Sequence, residues 1–415
     1  MTGDRADRTH RRWLMLAVGT GGQTAVTTAL YGLPYLVPAF RQRFGVSLAG
    51  AGILVSGPIL GVMVTLIAWG VVADRRGERA ALAAGLLPAA ALLAAAAAAP
   101  QVHLLAVLLV LVGAFGAAVN ASSGRLVIGW FPPHRRGVAM GMRQAAQPLG
   151  VGLAAAVLPP LARHAGLPAA LGFCAVLCAL AGLAVLLLAA DPPRPAGTGP
   201  VPWPGPYRGG RLWRLHGAAA LLAVPQFVVT GFALVFLVGA RGWSVAGAGT
   251  VLAAASLAGA AVRLLAGWWS DTVGSRVRPM RLLALLTAAD VLLLAAGALW
   301  PSPLGTAALL LASALTVSTN GLHNTAVAES AGPAWAGRAL GAHGVGQHAA
   351  VVLVPPMAGA LITAQGFAPA FALAAAFPLV AAAVIPGEPG GPPAAGHAGP
   401  AAGPVTAAAE EASAS

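Results

Sequence analysis

The stretch Gly70-Val-Val-Ala-Asp74-Arg75-Arg76-Gly77-Glu78-Arg79 lies between two long apolar runs. It packs five charges into the six residues from Asp74 to Arg79, in a chain where only 8% of residues are charged. Gly77 suits a tight turn, because glycine reaches positive φ without steric cost. Asp74 falls at the end of the helix predicted before it, and Arg75, Arg76 and Arg79 would hold the loop on the cytoplasmic side of a membrane. A second stretch, Gly267-Trp-Trp-Ser-Asp271-Thr-Val-Gly274-Ser-Arg276, repeats the outline 197 residues later for both the leading glycine and the aspartate. A basic loop alone explains the first stretch. The echo asks for more.

The surroundings of these loops set the fold class. The chain is 58% hydrophobic with a mean hydropathy of +0.81, and apolar runs recur along nearly all of its 415 residues. That composition belongs to a polytopic membrane protein. A bilayer-spanning helix needs roughly 20 apolar residues. Twelve such spans are predicted, at 13–39, 48–72, 80–99, 102–130, 137–162, 167–190, 213–239, 245–269, 280–300, 304–328, 338–363 and 367–385. A closed β-barrel would require period-two alternation, and runs such as Ala80–Ala99 show none. The expectation is an all-α membrane protein.

The net charge of +13 would suit a nucleic-acid binder, but the placement of the charge argues against one. All 24 basic residues are arginine. With a cytoplasmic N-terminus, 17 of them fall inside and only Arg41, Arg43, Arg163 and Arg241 fall outside, while Arg125, Arg143 and Arg263 lie within spans. This bias predicts a multi-pass protein of the cell membrane with both termini cytoplasmic. Cys174 and Cys178 sit four apart on span 6 and read as small packing residues rather than metal ligands or a disulfide. The apolar run after Arg12 is too long for a signal peptide and reads as an uncleaved first span.

The Pro- and Gly-rich segment 191–212 divides the chain. The expected organisation is an N-terminal arm at 1–12, a six-helix bundle at 13–190, this cytoplasmic linker, a second bundle at 213–385 and a tail at 386–415 too poor in apolar residues to fold. The two bundles repeat at close to 200 residues. Gln23 and Thr27 match Gln226 and Thr230 at an offset of 203; Asn120 matches Asn320, Gln147 matches Gln347, and Gly137, Ala139 and Gly141 match Gly337, Ala339 and Gly341 at 200. Coincidences of Gln and Asn inside apolar spans are hard to produce by chance. Six spans per half place the second half in the same orientation, so the repeats are parallel.

The paired loops at Gly70–Arg79 and Gly267–Arg276 resemble the signature loops of the major facilitator superfamily, which lie between helices 2 and 3 and between helices 8 and 9. The resemblance covers residues 13 to about 385 and implies twelve helices in two parallel six-helix repeats. It implies a gate built from Gly70, Asp74, Arg75, Gly77, Arg79, Gly267, Asp271, Gly274 and Arg276 that latches the two halves, and a cavity lined by helices 1, 4, 7 and 10. The polar residues inside the spans agree, since they form helix-period stripes: Gln23, Thr27 and Tyr31 on span 1, Asn120 on span 4, Arg143 and Gln147 on span 5, Gln226 on span 7, Asn320, His323 and Asn324 on span 10, and His343 and Gln347 on span 11. Structural hydrogen bonding between helices is the plainer account of the same stripes.

The resemblance thus implies a secondary transporter for a small-molecule substrate, working by alternating access as a monomer in the lipid bilayer. Drug antiporters of the superfamily usually carry an arginine in helix 4 where this chain has Leu108 and Leu109, so proton-coupled drug or metabolite efflux is the alternative. The segment Trp130–Gln144 is similar to the branch that transports cyanate and nitroimidazoles. No carboxylate appears on spans 1, 4, 5, 7 or 11, and Arg143 is answered at offset 200 by His343. A cavity of that charge favours a small anionic or polar solute, and makes His343 the candidate for coupling a proton. Arg125 and Arg263 are expected to pair with Asp74 and Asp271, and Glu329 with Arg338; Asp290 has no evident partner. An enzyme is not expected. There is no nucleophile elbow, no P-loop lysine, and no carboxylate within the His343, Gln347 and His348 group, so neither a catalytic residue nor a metal or other cofactor is expected.

Overall fold

A computed structural model describes residues 2–192 and 205–388, so most of the linker and the tail from 389 lie outside the described residues. The described chain is helical. The spanning helices are α1 (Thr2–Tyr31), α2 (Leu48–Arg76), α3 (Glu78–Ala97), α4 (Val102–Trp130), α5 and α6 (together Arg136–Leu188), α7 (Arg211–Val235), α8 (Val245–Val273), α9 (Val277–Ala298), α10 (Pro303–Leu315 and Asn320–Ala331), α11 (Ala336–Gln365) and α12 (Phe367–Val384). Ten helical stretches are long and apolar enough to cross a membrane. One of these, Pro133–Leu188, holds both α5 and α6, and α1, whose buried face carries Gln23, Thr27 and Thr28, completes the twelve.

Local chemistry explains the boundaries. Gly166, with φ +82° and ψ 171°, separates α5 from α6 in a conformation that L side chains avoid. Span 1 ends at Tyr31 rather than 39, because Pro34 cannot continue the hydrogen-bond ladder, and a 3-10 turn at Leu33–Leu36 follows. Ser47 and Ser244, 197 residues apart, each cap the next helix, accepting from Gly50 N–H and Gly247 N–H at 3.1 Å. Each cap is worth about 1 kcal/mol. Span 10 is broken in its middle. Thr316 Oγ1 donates to the Ala312 carbonyl (2.7 Å) and Ser318 Oγ to the Leu315 carbonyl (2.6 Å), competing with the helix ladder.

Each half has its own apolar core, and Cys174 and Cys178 lie buried in the first as free thiols. The halves meet where α2 packs on α11 and α5 packs on α8. Close approach falls on the face that carries the α2–α3, α4–α5, α8–α9 and α10–α11 connections, called the arginine side below. A Cβ on Gly70 would lie 2.5 Å from the Gly337 carbonyl oxygen, and one on Gly267 would lie 2.3 Å from that of Gly137. Only glycine lets these backbones touch.

Candidate functional site

Between the halves lies a cavity of about 50 Å³. Its polar lining is Tyr31, Gln144, Gln147, Gln226, Asn320, Gln347 and His348, with Ala219, Ala223, Phe227 and Val351 among its apolar walls. Toward the face opposite the arginine side, the same helix faces continue into exposed Ala155 on α5 and exposed Thr230 on α7. Tyr31 of the first half and His348 of the second meet across it, Oη to Nε2, at 3.3 Å.

Five expected cavity residues line it: Tyr31, Gln147, Gln226, Asn320 and Gln347. The rest form a layer behind. In the first half, Arg143 is buried and donates from Nη2 to Ser123 Oγ (2.8 Å) and Gln23 Oε1 (3.0 Å), and from Nη1 to Gln144 Oε1 (2.5 Å). Gln23 Nε2 in turn donates to Asn120 Oδ1 (2.9 Å) and reaches Thr27 Oγ1 at 3.4 Å. Neutral oxygens hold this guanidinium, and none of its named partners is a carboxylate. Gln144 and His348 were not among the expected lining residues. On α5 the residues at 144 and 147 share the cavity face, which turns Arg143 toward α1 and α4.

The second half places imidazoles where the first has Arg143 and Ser123. His343 Nε2 meets His323 Nδ1 at 2.7 Å, and His343 Nδ1 meets His216 Nδ1 at 3.1 Å. His323 Nε2 reaches the Gln347 side-chain amide at 3.3 Å, and Tyr207 Oη reaches His216 Nε2 at 3.0 Å. Asn324 turns back onto the Asn320 carbonyl (2.7 Å). His216 sits near the start of α7, where nothing in the helix-period stripes marks it.

On the arginine side, each loop aspartate caps a helix of the opposite half. Asp74 accepts from Gly337 N–H (2.9 Å) and Arg338 N–H (3.1 Å) in the first turn of α11. Asp271 accepts from Gly137 N–H and Val138 N–H, both at 2.9 Å, in the first turn of α5. These amides lack intrahelical partners, and the helix dipole adds its positive end. Gly77 (φ +93°) and Gly274 (φ +67°) make the turns expected of them. Arg276 bonds Asp271 at 2.5 Å. Arg79 instead ties the loop to α6, donating to the Leu186 carbonyl (2.5 Å), and Arg75 is exposed.

Arg125 pairs with Asp74 as expected, and with Glu78 as well. Two expected ion pairs are corrected. Arg263 does not reach Asp271: it donates to the Gln144 carbonyl (2.8 Å) and to the Val317 carbonyl (3.2 Å), which lies in the break of α10. Glu329 pairs with Arg136 (3.4 Å) and Arg276 (3.3 Å), while Arg338 pairs with Asp74 (3.2 Å) and lies over the Trp335 ring. Burial alone would lower the Arg276 guanidinium, but the Glu329 and Asp271 carboxylates outweigh it and hold it above its ordinary value. Asp290 is buried in α9, with neither oxygen hydrogen-bonded among the described residues.

The Major Facilitator Superfamily profile matches residues 14–352. An uncharacterized MFS-type transporter of Mycobacterium tuberculosis (strain H37Rv), Rv2994, is 42% identical over 381 residues, covering 90% of this chain and 85% of that protein. Among solved structures, the proton:xylose symporter XylE superposes with a TM-score of 0.74 at 17% identity, over 91% of this chain and 97% of that one. The human organic anion transporter MFSD10 gives 0.73 at 18% identity, over 90% and 99%. FucP in its outward conformation gives 0.71 at 16% identity, over 89% and 96%. At these identities the structures share the fold alone. None of these proteins bears a name from the cyanate or nitroimidazole branch, so that narrower likeness remains an expectation.

Proposed function

Because the chain belongs to the major facilitator superfamily, we propose that it moves a small anionic or strongly dipolar organic solute across the cell membrane by alternating access, with the arginine side in the cytoplasm. The observation that carries this reading is the polar cavity between the halves, with the cross-half caps of Asp74 and Asp271 on its arginine side. On this reading the arrangement is the outward-facing one. Breaking the two caps lets α5 and α11 swing free, and the cavity then empties to the cytoplasm.

The chemistry of the cavity supports the substrate class. Its lining offers amide, phenol and imidazole groups and no carboxylate. Behind Gln144 stands the Arg143 guanidinium, a permanent charge whose named partners are neutral oxygens. A desolvated cation would meet like charge there, whereas an anion gains from it. The small volume favours a small solute over a bulky drug. Counterflow in proteoliposomes, with a panel of labelled small anions and neutral polar solutes, tests this directly. Arg143→Gln is expected to weaken affinity for the transported anion by about tenfold or more, the loss of a fixed positive charge one side chain behind the cavity wall. Unchanged affinity in that variant would refute the anion reading and leave Arg143 a helix anchor.

A further inference from the structure

Five side chains form an unbroken hydrogen-bonded line on the second half: Tyr207, His216 of α7, His343 of α11, His323 of α10 and Gln347 of α11. The successive separations are 3.0, 3.1, 2.7 and 3.3 Å. One end, Tyr207 with the half-buried His216 next to it, lies close to the arginine side. The other, Gln347, lines the cavity. We propose that these three imidazoles conduct protons between the arginine side and the central cavity, past the closure that stops the solute. The proposal rests on reading that cavity as the transport site.

A neutral imidazole carries one N–H donor and one bare nitrogen acceptor. All three rings here are engaged through both nitrogens, so a donor on one side fixes an acceptor on the other, and the whole line points one way. In one polarity His216 holds its proton on Nδ1, and His343 and His323 hold theirs on Nε2. The Tyr207 hydroxyl takes a proton from water while passing its own to His216 Nε2, which makes that ring a cation. The ring gives its Nδ1 proton to His343 Nδ1, His343 gives its Nε2 proton to His323 Nδ1, and His323 releases its Nε2 proton at the cavity. One proton enters and one leaves. Only N–H and O–H bonds break and form, and each ring ends neutral in the other tautomer. Ring rotation, or a proton returning, restores the start. The Gln347 amide can meet His323 either way round, its oxygen accepting or its nitrogen donating.

Three observations separate a conductor from a merely structural network. The first half holds the corresponding positions with Arg143 and Ser123, at 3.0 Å from Nε to Oγ, so the fold does not need imidazoles there. Arginine keeps its protons at any physiological pH and cannot relay one. The rings also run in file instead of converging, and no group of three metal-ligating side chains exists among the described residues. Finally, the charged groups of the neighbouring helices leave no counter-ion at the rings. Arg263 of α8 and Arg143 of α5 are bonded to neutral oxygens. Asp74 of α2, Arg125 of α4, Glu329 of α10 and Arg338 of α11 are committed to ion pairs at the arginine-side end. A proton on the line has no carboxylate beside it at which to rest.

The test uses the full chain in proteoliposomes, with a pH-sensitive dye inside, the voltage clamped by potassium and valinomycin, and an imposed pH step. No solute is needed, because the proton is the probe. Wild-type protein is expected to carry protons faster than protein-free vesicles. His343→Gln and His216→Gln keep hydrogen-bonding groups but cannot relay, and each should lower the protein-dependent flux about a hundredfold, at the low end of what a proton-transferring side chain contributes. His164→Gln, at an exposed histidine on α5 outside the line, should leave the flux unchanged. His216 is half-buried, so its variant serves if the fully buried His343 change impairs folding. Wild-type flux equal to that of empty vesicles, or wild-type flux retained in both line variants, overturns the proposal. Labelling of a cavity cysteine, Ala223→Cys, from each side keeps the two readings apart. Alternating labelling without proton flux sinks the line alone; flux without alternating labelling sinks the transport reading alone.

Discussion

Asp74 and Asp271 do the same thing to opposite helices, yet their settings differ. Both take two first-turn amides of the other half, at 2.9–3.1 Å. Around Asp74 the inner partners are dry and only Arg338 is wetter: the Asp74 side chain is 1% exposed, Glu78 0%, Arg125 9% and Arg338 25%, and Arg125 is shared between the two carboxylates. Around Asp271 the arginine is shared with Glu329, which is 26% exposed, at the wall of a solvent-open pocket of about 680 Å³. The helix cap is the common element. The Arg125 and Arg276 pairs each lie within one half, so opening breaks the caps themselves and the pair of Asp74 with Arg338, and burial sets what each break costs, because a lost partner is costly only where water cannot replace it.

The largest effect should follow from Asp74→Ala, which leaves two α11 amides and the Arg338 guanidinium without their acceptor across the halves, while Arg125 keeps Glu78. Losing hydrogen bonds to a charged acceptor that exist only in the closed arrangement costs about 1.5–3 kcal/mol, roughly a tenfold to hundredfold shift toward the state open on the arginine side. Labelling of Ala223→Cys from that side reports it, and the native thiols, buried in the first-half core, stay silent. Next comes Gly337→Ala, whose Cβ would stand 2.6 Å from both Asp74 Oδ1 and the Gly70 carbonyl oxygen. Overpacking of this kind costs about 1–3 kcal/mol, and should speed labelling less than Asp74→Ala does. Smallest is Asp271→Asn, which keeps an acceptor for one amide and loses a pair that water can partly replace, about 1 kcal/mol, fading as salt is raised. If Asp271→Asn opens the arginine side further than Asp74→Ala, burial is not what distinguishes the two caps.

The twelve helices and their pairing were legible because apolar runs of spanning length and a 200-residue repeat are properties of the chain itself. The loop and its echo were legible too, and their resemblance to the superfamily's loops implied a latch between the halves, but the amides they cap come from packing. What escaped reading depends on tertiary placement. Glu329 has several arginines within reach of its loop, and only packing selects Arg136 and Arg276 over Arg338. Arg263 finds a carbonyl freed by the broken α10, and that break comes from Thr316 and Ser318, residues that more often sit quietly in a membrane helix. The step from Arg143 to Gln147 suggests one helix face, but the cavity takes Gln144 and Gln147 instead. His216 and Tyr207 join the imidazole line from the end of the linker, where polar residues ordinarily mean no more than a water-facing loop.

The glycine crossings between the halves have a bearing on turnover. A seal made of leucines or methionines would freeze rotamers each time it closed, at roughly 0.5–2 kcal/mol per side chain, and regain that freedom each time it opened. Gly70 against Gly337 and Gly137 against Gly267 have no rotamers to freeze. Closing them costs no side-chain entropy, so these contacts leave the balance between open and closed to the caps and to the solute. On the alternating-access reading, such a seam can be made and unmade without disorder being lost or recovered.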